Sequence, residues 1–205
     1  MNQFNEDNLV EQTEKFRGKY RVQSTRLKNW DYSSNGAYFI TICTKNREHY
    51  FGEIANEKLQ ETEQSKICQN VWDDLPNHYP NCILDSFVIM PNHVHCIVII
   101  ENSVQSVRSV ETGLKPVSTM TTTITTNDAN KSKRYTISEI IRGYKTFTAR
   151  KINNLQNTQG KTFWQPRFYD HIIRNEHELN RIRGYIVNNP LNWENDRNNS
   201  ENLYI

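Results

Sequence analysis

A chain of 205 residues is long enough to bury one sizeable core, and its 25 basic and 23 acidic residues, for a net charge of +2, impose no global demand for nucleic acid. Four cysteines without CxxC spacing argue against a disulfide framework, no apolar run reaches membrane-spanning length, and the opening Met1-Asn2-Gln3-Phe4-Asn5-Glu6-Asp7 does not read as a secretory leader. The expectation is a reduced, cytoplasmic protein with no membrane partner, in which polar arms dilute a single core to an apolar fraction of 36%.

Residues 1–28 are polar, with Lys15, Arg17, Lys19, Arg21, Arg26 and Lys28. They read either as a solvated tail or as a basic arm touching phosphates. One domain follows over 29–193. Gly36 to Thr44 is rich in aromatic and β-branched residues and predicts a strand. Tyr50 to Ile54 predicts a short second strand or edge. A helix is expected from about 57 to 78, where Ile67, Val71, Trp72 and Leu75 recur at helical spacing and Pro76 and Pro80 stop it. Ile83 to Met90 and Val94 to Ile100 predict a hairpin turning at Pro91-Asn92.

Residues 102–134 are low in complexity and read as a flexible insertion. Thr136-Ile137-Ser138-Glu139 has the form of a capping box. The helix after it buries Ile137, Ile140, Ile141, Tyr144, Phe147 and Ile152 and carries Arg142, Lys145, Arg150 and Lys151 largely off that face. That basic face is either solvated or tracks phosphates. Phe163 to Arg174 predicts a strand after an aromatic turn, and Arg167 and Arg174 are either phosphate contacts or surface charges. Asn175 and Glu178 suggest a cap for a last helix, stopped by Pro190, and 194–205 reads as a polar tail. The order strand, helix, strand, strand, helix, strand gives an α+β class. It is the ferredoxin-like split β-α-β arrangement, an antiparallel sheet with helices on one face and an extra C-terminal helix.

The stretch with most chemistry is Met90-Pro91-Asn92-His93-Val94-His95. Side chains alternate along a strand, so His93 and His95 face one side together and can grip one divalent ion, while Val94 anchors the other face. On the last helix Ile182 and Ile186 point to the core and Tyr185 sits at the margin of that face. Asn189 lies one turn further on, though Pro190 disturbs its direction. A phenol is only about 0.1% ionised at neutral pH, and a phosphodiester repels nucleophiles. A divalent ion on His93 and His95 would offset that charge and orient the phosphate for in-line attack by Tyr185. Tyr169 is a rival nucleophile. His171 is either a third ligand or a partner of Asp170 or of a phosphate.

The chain resembles the single-tyrosine HUH transposases of small bacterial insertion sequences, and most closely the REP-associated tyrosine transposases. The likeness rests on Gly36 to Thr44, MPNHVH, Trp164 to His171 and Arg183-Gly184-Tyr185-Ile186-Val187-Asn188-Asn189-Pro190. It implies a metal-dependent enzyme that nicks and rejoins single-stranded DNA beside hairpins through a 5′-phosphotyrosine link. It also implies Mg²⁺ or Mn²⁺ on His93 and His95, Tyr185 as nucleophile and a homodimer. Relatives often place Gln where this chain has the shorter Asn189 as a further ligand. Two other classes stay open: a nucleic-acid-binding protein of this fold without the chemistry, and a metal-dependent hydrolase using activated water.

Overall fold

The structure is a computed structural model that describes residues 15–16, 19–20, 27, 30–102 and 133–199. The expectations for most of the basic arm, for nearly all of the 102–134 insertion and for the end of the tail fall outside them. The chain divides into two units, Met1–Trp30 and Asp31–Ile205. In the first, two minimal strands, β1 (Lys15–Phe16) and β2 (Lys19–Tyr20), pair antiparallel. All that follows concerns the second.

Its centre is a four-stranded antiparallel sheet in the order β6-β7-β3-β8, formed by β3 (Gly36–Cys43), β6 (Cys82–Met90), β7 (His93–Ile100) and β8 (Tyr169–Ile173). β6 and β7 form the expected hairpin around Pro91-Asn92. The sheet and its helices reproduce the split β-α-β arrangement. β7 lies between β6 and β3, and every one of its residues but one is buried, which is why it reads as a nearly unbroken apolar run.

The two faces of the sheet are covered differently. Tyr38, Ile40, Ile42, Val94, Cys96, Val98 and Ile100 share the main core with α1 (Glu63–Asp73) and α3 (Ile137–Gln156). Phe39, Ile97 and Ile173, of the opposite parity, form a smaller cluster with Ile182 and Ile186 of α4 (Glu176–Val187). The extra helix therefore takes the other side of the sheet, the side onto which His93 and His95 project. Thr136 and Glu139 cap α3 reciprocally, and Asn175 caps α4 by accepting the Glu178 N–H.

Two boundaries differ from the sequence reading. No helix starts at 57. Instead β4 (Gly52–Ala55) and β5 (Lys58–Glu61) form a hairpin whose turn residues, Asn56 and Glu57, both take positive φ. Such a turn usually advertises itself with glycine; here Asn-Glu carries it, so the signal is weak. Helix α1 begins only at Glu63, behind a Thr62/Ser65 capping box, and the short α2 (Leu75–His78) follows it. At the other end, β8 is confined to Tyr169–Ile173, and Trp164 makes an isolated bridge to Thr44. The Trp164 Nε1–H also donates to Thr148 Oγ1 at 2.8 Å, so this ring is a core element. The four cysteines are free thiols. Among the described residues no helix is long and apolar enough to cross a membrane.

Ile186 is 1% exposed and fills the space between α4 and the sheet beside Tyr185. Truncation to alanine is expected to cost about 2–5 kcal/mol of stability, measured by denaturant unfolding. A cost below about 0.5 kcal/mol, ordinary for a surface position, would contradict this packing of α4.

Candidate functional site

The sheet register builds the site. Cys43 lies opposite His93 and Thr41 opposite His95 on β3, and Met90 and Val88 oppose the same two histidines on β6. Both imidazoles are 0% exposed, and their Nε2 atoms face each other at 3.0 Å. Each Nδ1 is held from behind. His93 Nδ1 meets Asn92 Oδ1 at 2.8 Å, and His95 Nδ1 meets Thr41 Oγ1 at 2.8 Å. The Asn92 amide is oriented by donating to the Asn198 carbonyl at 2.9 Å, so its oxygen is what faces His93. An amide oxygen only accepts; His93 therefore carries its hydrogen on Nδ1 and its lone pair on Nε2. Thr41 can donate or accept. When it donates, His95 carries Nε2–H and closes onto His93. When it accepts, two lone pairs converge, an arrangement that favours a cation.

The distance suits one. Two donors about 2.1 Å from an ion, at right angles to each other, lie about 3.0 Å apart. Asp196 completes the set: one donor atom each from His93, His95 and Asp196 lies within 4.8 Å of the others, all three residues being buried. Asn189 is 1% exposed, and its Nδ2 lies 3.4 Å from Asp196 Oδ2. Its Oδ1 is buried without a hydrogen-bond partner among the described residues, which in a folded protein calls for an explanation such as an ion or water. These donors, two nitrogens, a carboxylate and an amide oxygen, suit a divalent metal.

Tyr185 reaches this cluster from α4. Its hydroxyl lies 3.2 Å from His95 Nε2, and its ring stands edge-on to Phe39 and His95. Phe39 also stacks on His95 at 5.3 Å. Burial pushes the phenol above its ordinary value, the Asp196 charge adds to this, and the Asn189 amide opposes it. Burial likewise pushes His93 down to about 3, helped by Arg47, Arg197 and His49, and holds His95 well below its usual range, with His93 adding to the effect. Both rings are thus neutral at physiological pH.

The structure brings His93, His95, Tyr185 and Asn189 together and leaves the expected basic contacts elsewhere. Arg142 and Lys145 lie on α3, across the sheet. Lys145 Nζ donates to the carbonyl oxygens of Gln165, Pro166 and Arg167 at 2.6, 3.2 and 3.4 Å, tying that loop to the helix. Arg167 and Arg174 are exposed. His171 pairs with Glu178 at 2.8 Å, on the same side of the sheet as His95 but outside the His93–His95–Asp196 cluster. Tyr169 is 43% exposed at the sheet edge.

Sequence reasoning missed several contributors, among them the Thr41 and Phe39 partners of His95. Asp196, Asn198 and Trp193 come from the stretch after Pro190: Trp193 tilts against His93 at 6.1 Å, and Asn198 joins Asn92. Arg47 donates to Asn198 Oδ1 at 3.1 Å. The one available signal was a large aromatic, Trp193, in an otherwise polar stretch.

Comparison with known proteins places the chain. Residues 129–189, which take in α3, β8, α4, Tyr185 and Asn189, match the family model described as transposase, IS200 like. A protein of Haemophilus influenzae, itself uncharacterised, is 37% identical over 183 residues, 88% of this chain and 94% of that one. The chain belongs to the IS200-like transposase family. Its fold is also that of a REP-associated tyrosine transposase solved with a REP hairpin. The TM-score is 0.53 at 18% identity, covering 84% of this chain and 74% of the other.

The buried imidazoles give this protein a pH signature in the absence of metal ions. A group whose folded pKa lies below its unfolded value binds fewer protons folded than unfolded, so its contribution is whole above the unfolded value and is lost as pH falls. For His93 the window runs from 6.5 down toward about 3. Melting temperature in chelator is expected to fall through this window, and His93→Gln is expected to flatten the slope. An unchanged slope in that variant would contradict the buried neutral pair.

Proposed function

We propose that this transposase is a metal-dependent DNA strand transferase that nicks and rejoins single-stranded DNA beside a hairpin, with Tyr185 as nucleophile. The observation that carries the proposal is the Tyr185 hydroxyl 3.2 Å from the Nε2 of a buried histidine pair. His93 and His95 would hold Mg²⁺ or Mn²⁺ through Nε2, with Asp196 and Asn189 as the remaining protein donors. Bound there, the ion supplies charge neutralisation and polarisation of the scissile phosphate.

The chain's own residues do the rest. The Phe39 ring and Ile182 and Ile186 fix the height of the Tyr185 ring over the sheet. As the phenol oxygen bonds to phosphorus, its proton leaves to solvent. The P–O3′ bond breaks, and the departing 3′ oxygen takes up a proton. The product is a 5′-phosphotyrosine and a free 3′ hydroxyl, and the retained phosphoester can be attacked by a second 3′ hydroxyl to rejoin DNA. A raised phenol pKa makes Tyr185 a poor nucleophile without the cation, which limits nicking to the loaded enzyme. Tyr185 and both histidines of one chain lie together, so in this reading a nick needs no second copy. A homodimer would serve to hold two ends for joining. The REP hairpin bound by the relative supports a hairpin substrate for this chain too.

The test is incubation with Mn²⁺ and labelled single-stranded hairpin oligonucleotides. A covalent protein–DNA adduct is expected, absent in Tyr185→Phe and slowed at least about a hundredfold in His95→Ala. Cleavage that survives Tyr185→Phe would assign the site to activated water instead. Binding with neither adduct nor cleavage would leave a silent DNA-binding protein.

A further inference from the structure

A cleft of about 450 Å³ opens beside Tyr185, between β8 and α4. Phe39 and Ile182 form its apolar floor, Tyr169 and Tyr185 line it, and Arg181 and Arg197 bring two cations to it. The sheet register places Tyr169 in the same cross-strand row as Thr41 and His95. Both phenol rings stand on Phe39: Tyr185 at 5.9 Å and Tyr169 at 6.3 Å, each edge-on. Tyr169 is 43% exposed although it belongs to the central sheet, and the Arg197 guanidinium lies over its ring, 5.5 Å from the centroid.

An exposed ring flanked by a guanidinium is a stacking platform for a flat, electron-rich group, worth about 1–3 kcal/mol for a nucleobase. The two arginines suit the anionic backbone on either side of such a base. The platform and the Tyr185 hydroxyl share one supporting ring, so a base on Tyr169 belongs to a nucleotide beside the attacked phosphate. Phosphate contacts position a strand but do not hold the sugar–base unit rotationally; a stack does both, and in-line attack needs that orientation.

We propose that this cleft binds the single unpaired nucleotide adjacent to the scissile phosphate, its base stacked on Tyr169 and its backbone between Arg181 and Arg197. The inference rests on the strand-transfer reading for the phrase "scissile phosphate"; the stacking site itself stands on the cleft. Tyr169 is a positioning residue in this account. It touches the neighbouring nucleotide and leaves the bond chemistry to Tyr185.

The test uses full-length protein with Mn²⁺ and hairpin oligonucleotides whose single-stranded flank is randomised except for one 2-aminopurine, moved one position at a time. Fluorescence reports stacking, and gel analysis of the same samples reports the covalent adduct. Quenching at one flank position is expected, lost in Tyr169→Leu and retained in Tyr169→Phe, which also controls for folding. Tyr169→Leu is further expected to weaken binding of the intact strand about tenfold, the low end of the stacking range, and to have no effect when that position is abasic. Quenching without any adduct would support the nucleotide site while removing the strand-transfer reading. An adduct formed with quenching unaffected by Tyr169→Leu, or with no quenched position, would overturn the nucleotide site and leave strand transfer standing. Absence of both signals would overturn both.

Discussion

Two imidazoles buried in a β-sheet, with their Nε2 atoms 3.0 Å apart, set the terms for the rest of this molecule. Burying a pair of polar rings is costly unless every donor and acceptor finds a partner. Asn92 and Thr41 satisfy the two Nδ1 atoms, and the remaining two nitrogens face each other, with the Tyr185 hydroxyl 3.2 Å from that of His95. The Thr41 hydroxyl can rotate between donating and accepting, so one set of heavy-atom positions suits both states. The surrounding architecture keeps those positions fixed. β7 is clamped on both edges, the Thr44 N–H and Oγ1 hold the Asn92 carbonyl at 2.9 and 3.0 Å, and Phe39 stacks on His95.

Tyr185 is held with similar economy. Between the end of β8 and the start of α4 lie only Arg174 and Asn175, too little chain for the helix to travel far. Arg183, two residues before Tyr185, forms an ion pair with Asp85 of β6 through its Nε and Nη2 groups, and this contact holds the Asp85 carboxyl below its usual range. With Ile182 and Ile186 buried against the sheet, α4 has an apolar and an ionic anchor on the same strand layer. The segment 190–199 then folds back, bringing Asp196 to the histidines and tying Asn198 to Asn92 and Arg47. Residues from β3, β7, α4 and that segment thus close on one point within a single chain.

Much of this was legible in the sequence because it depends on short periodicities. The alternation around His93 and His95 fixes which face they share, and the 3.6-residue spacing of Ile182 and Ile186 fixes where Tyr185 stands. The capping boxes and the hairpin at Pro91-Asn92 are likewise local. What escaped depends on tertiary contact. Asp196 sits among asparagines and an arginine that read as solvated, and only the fold-back buries it. The Asn56-Glu57 turn lacks the glycine that would announce a hairpin, so β5 merges into the helical pattern after it. Lys145 looks like a free surface cation in a helical projection; the loop carbonyls that receive it are twenty residues away. A net charge of +2 does not reveal local clustering, such as Arg181 and Arg197 lining one cleft beside Tyr185.

The histidine pair, Asp196 and Tyr185 converge on one cation-sized point. Anomalous diffraction from crystals grown with Mn²⁺ tests it most directly. A single strong manganese peak is expected, bonded to His93 Nε2 and His95 Nε2, with the Tyr185 oxygen of the same chain facing it. Ordered crystals with no manganese between the two imidazoles, or with the Tyr185 ring turned away from them, would contradict it.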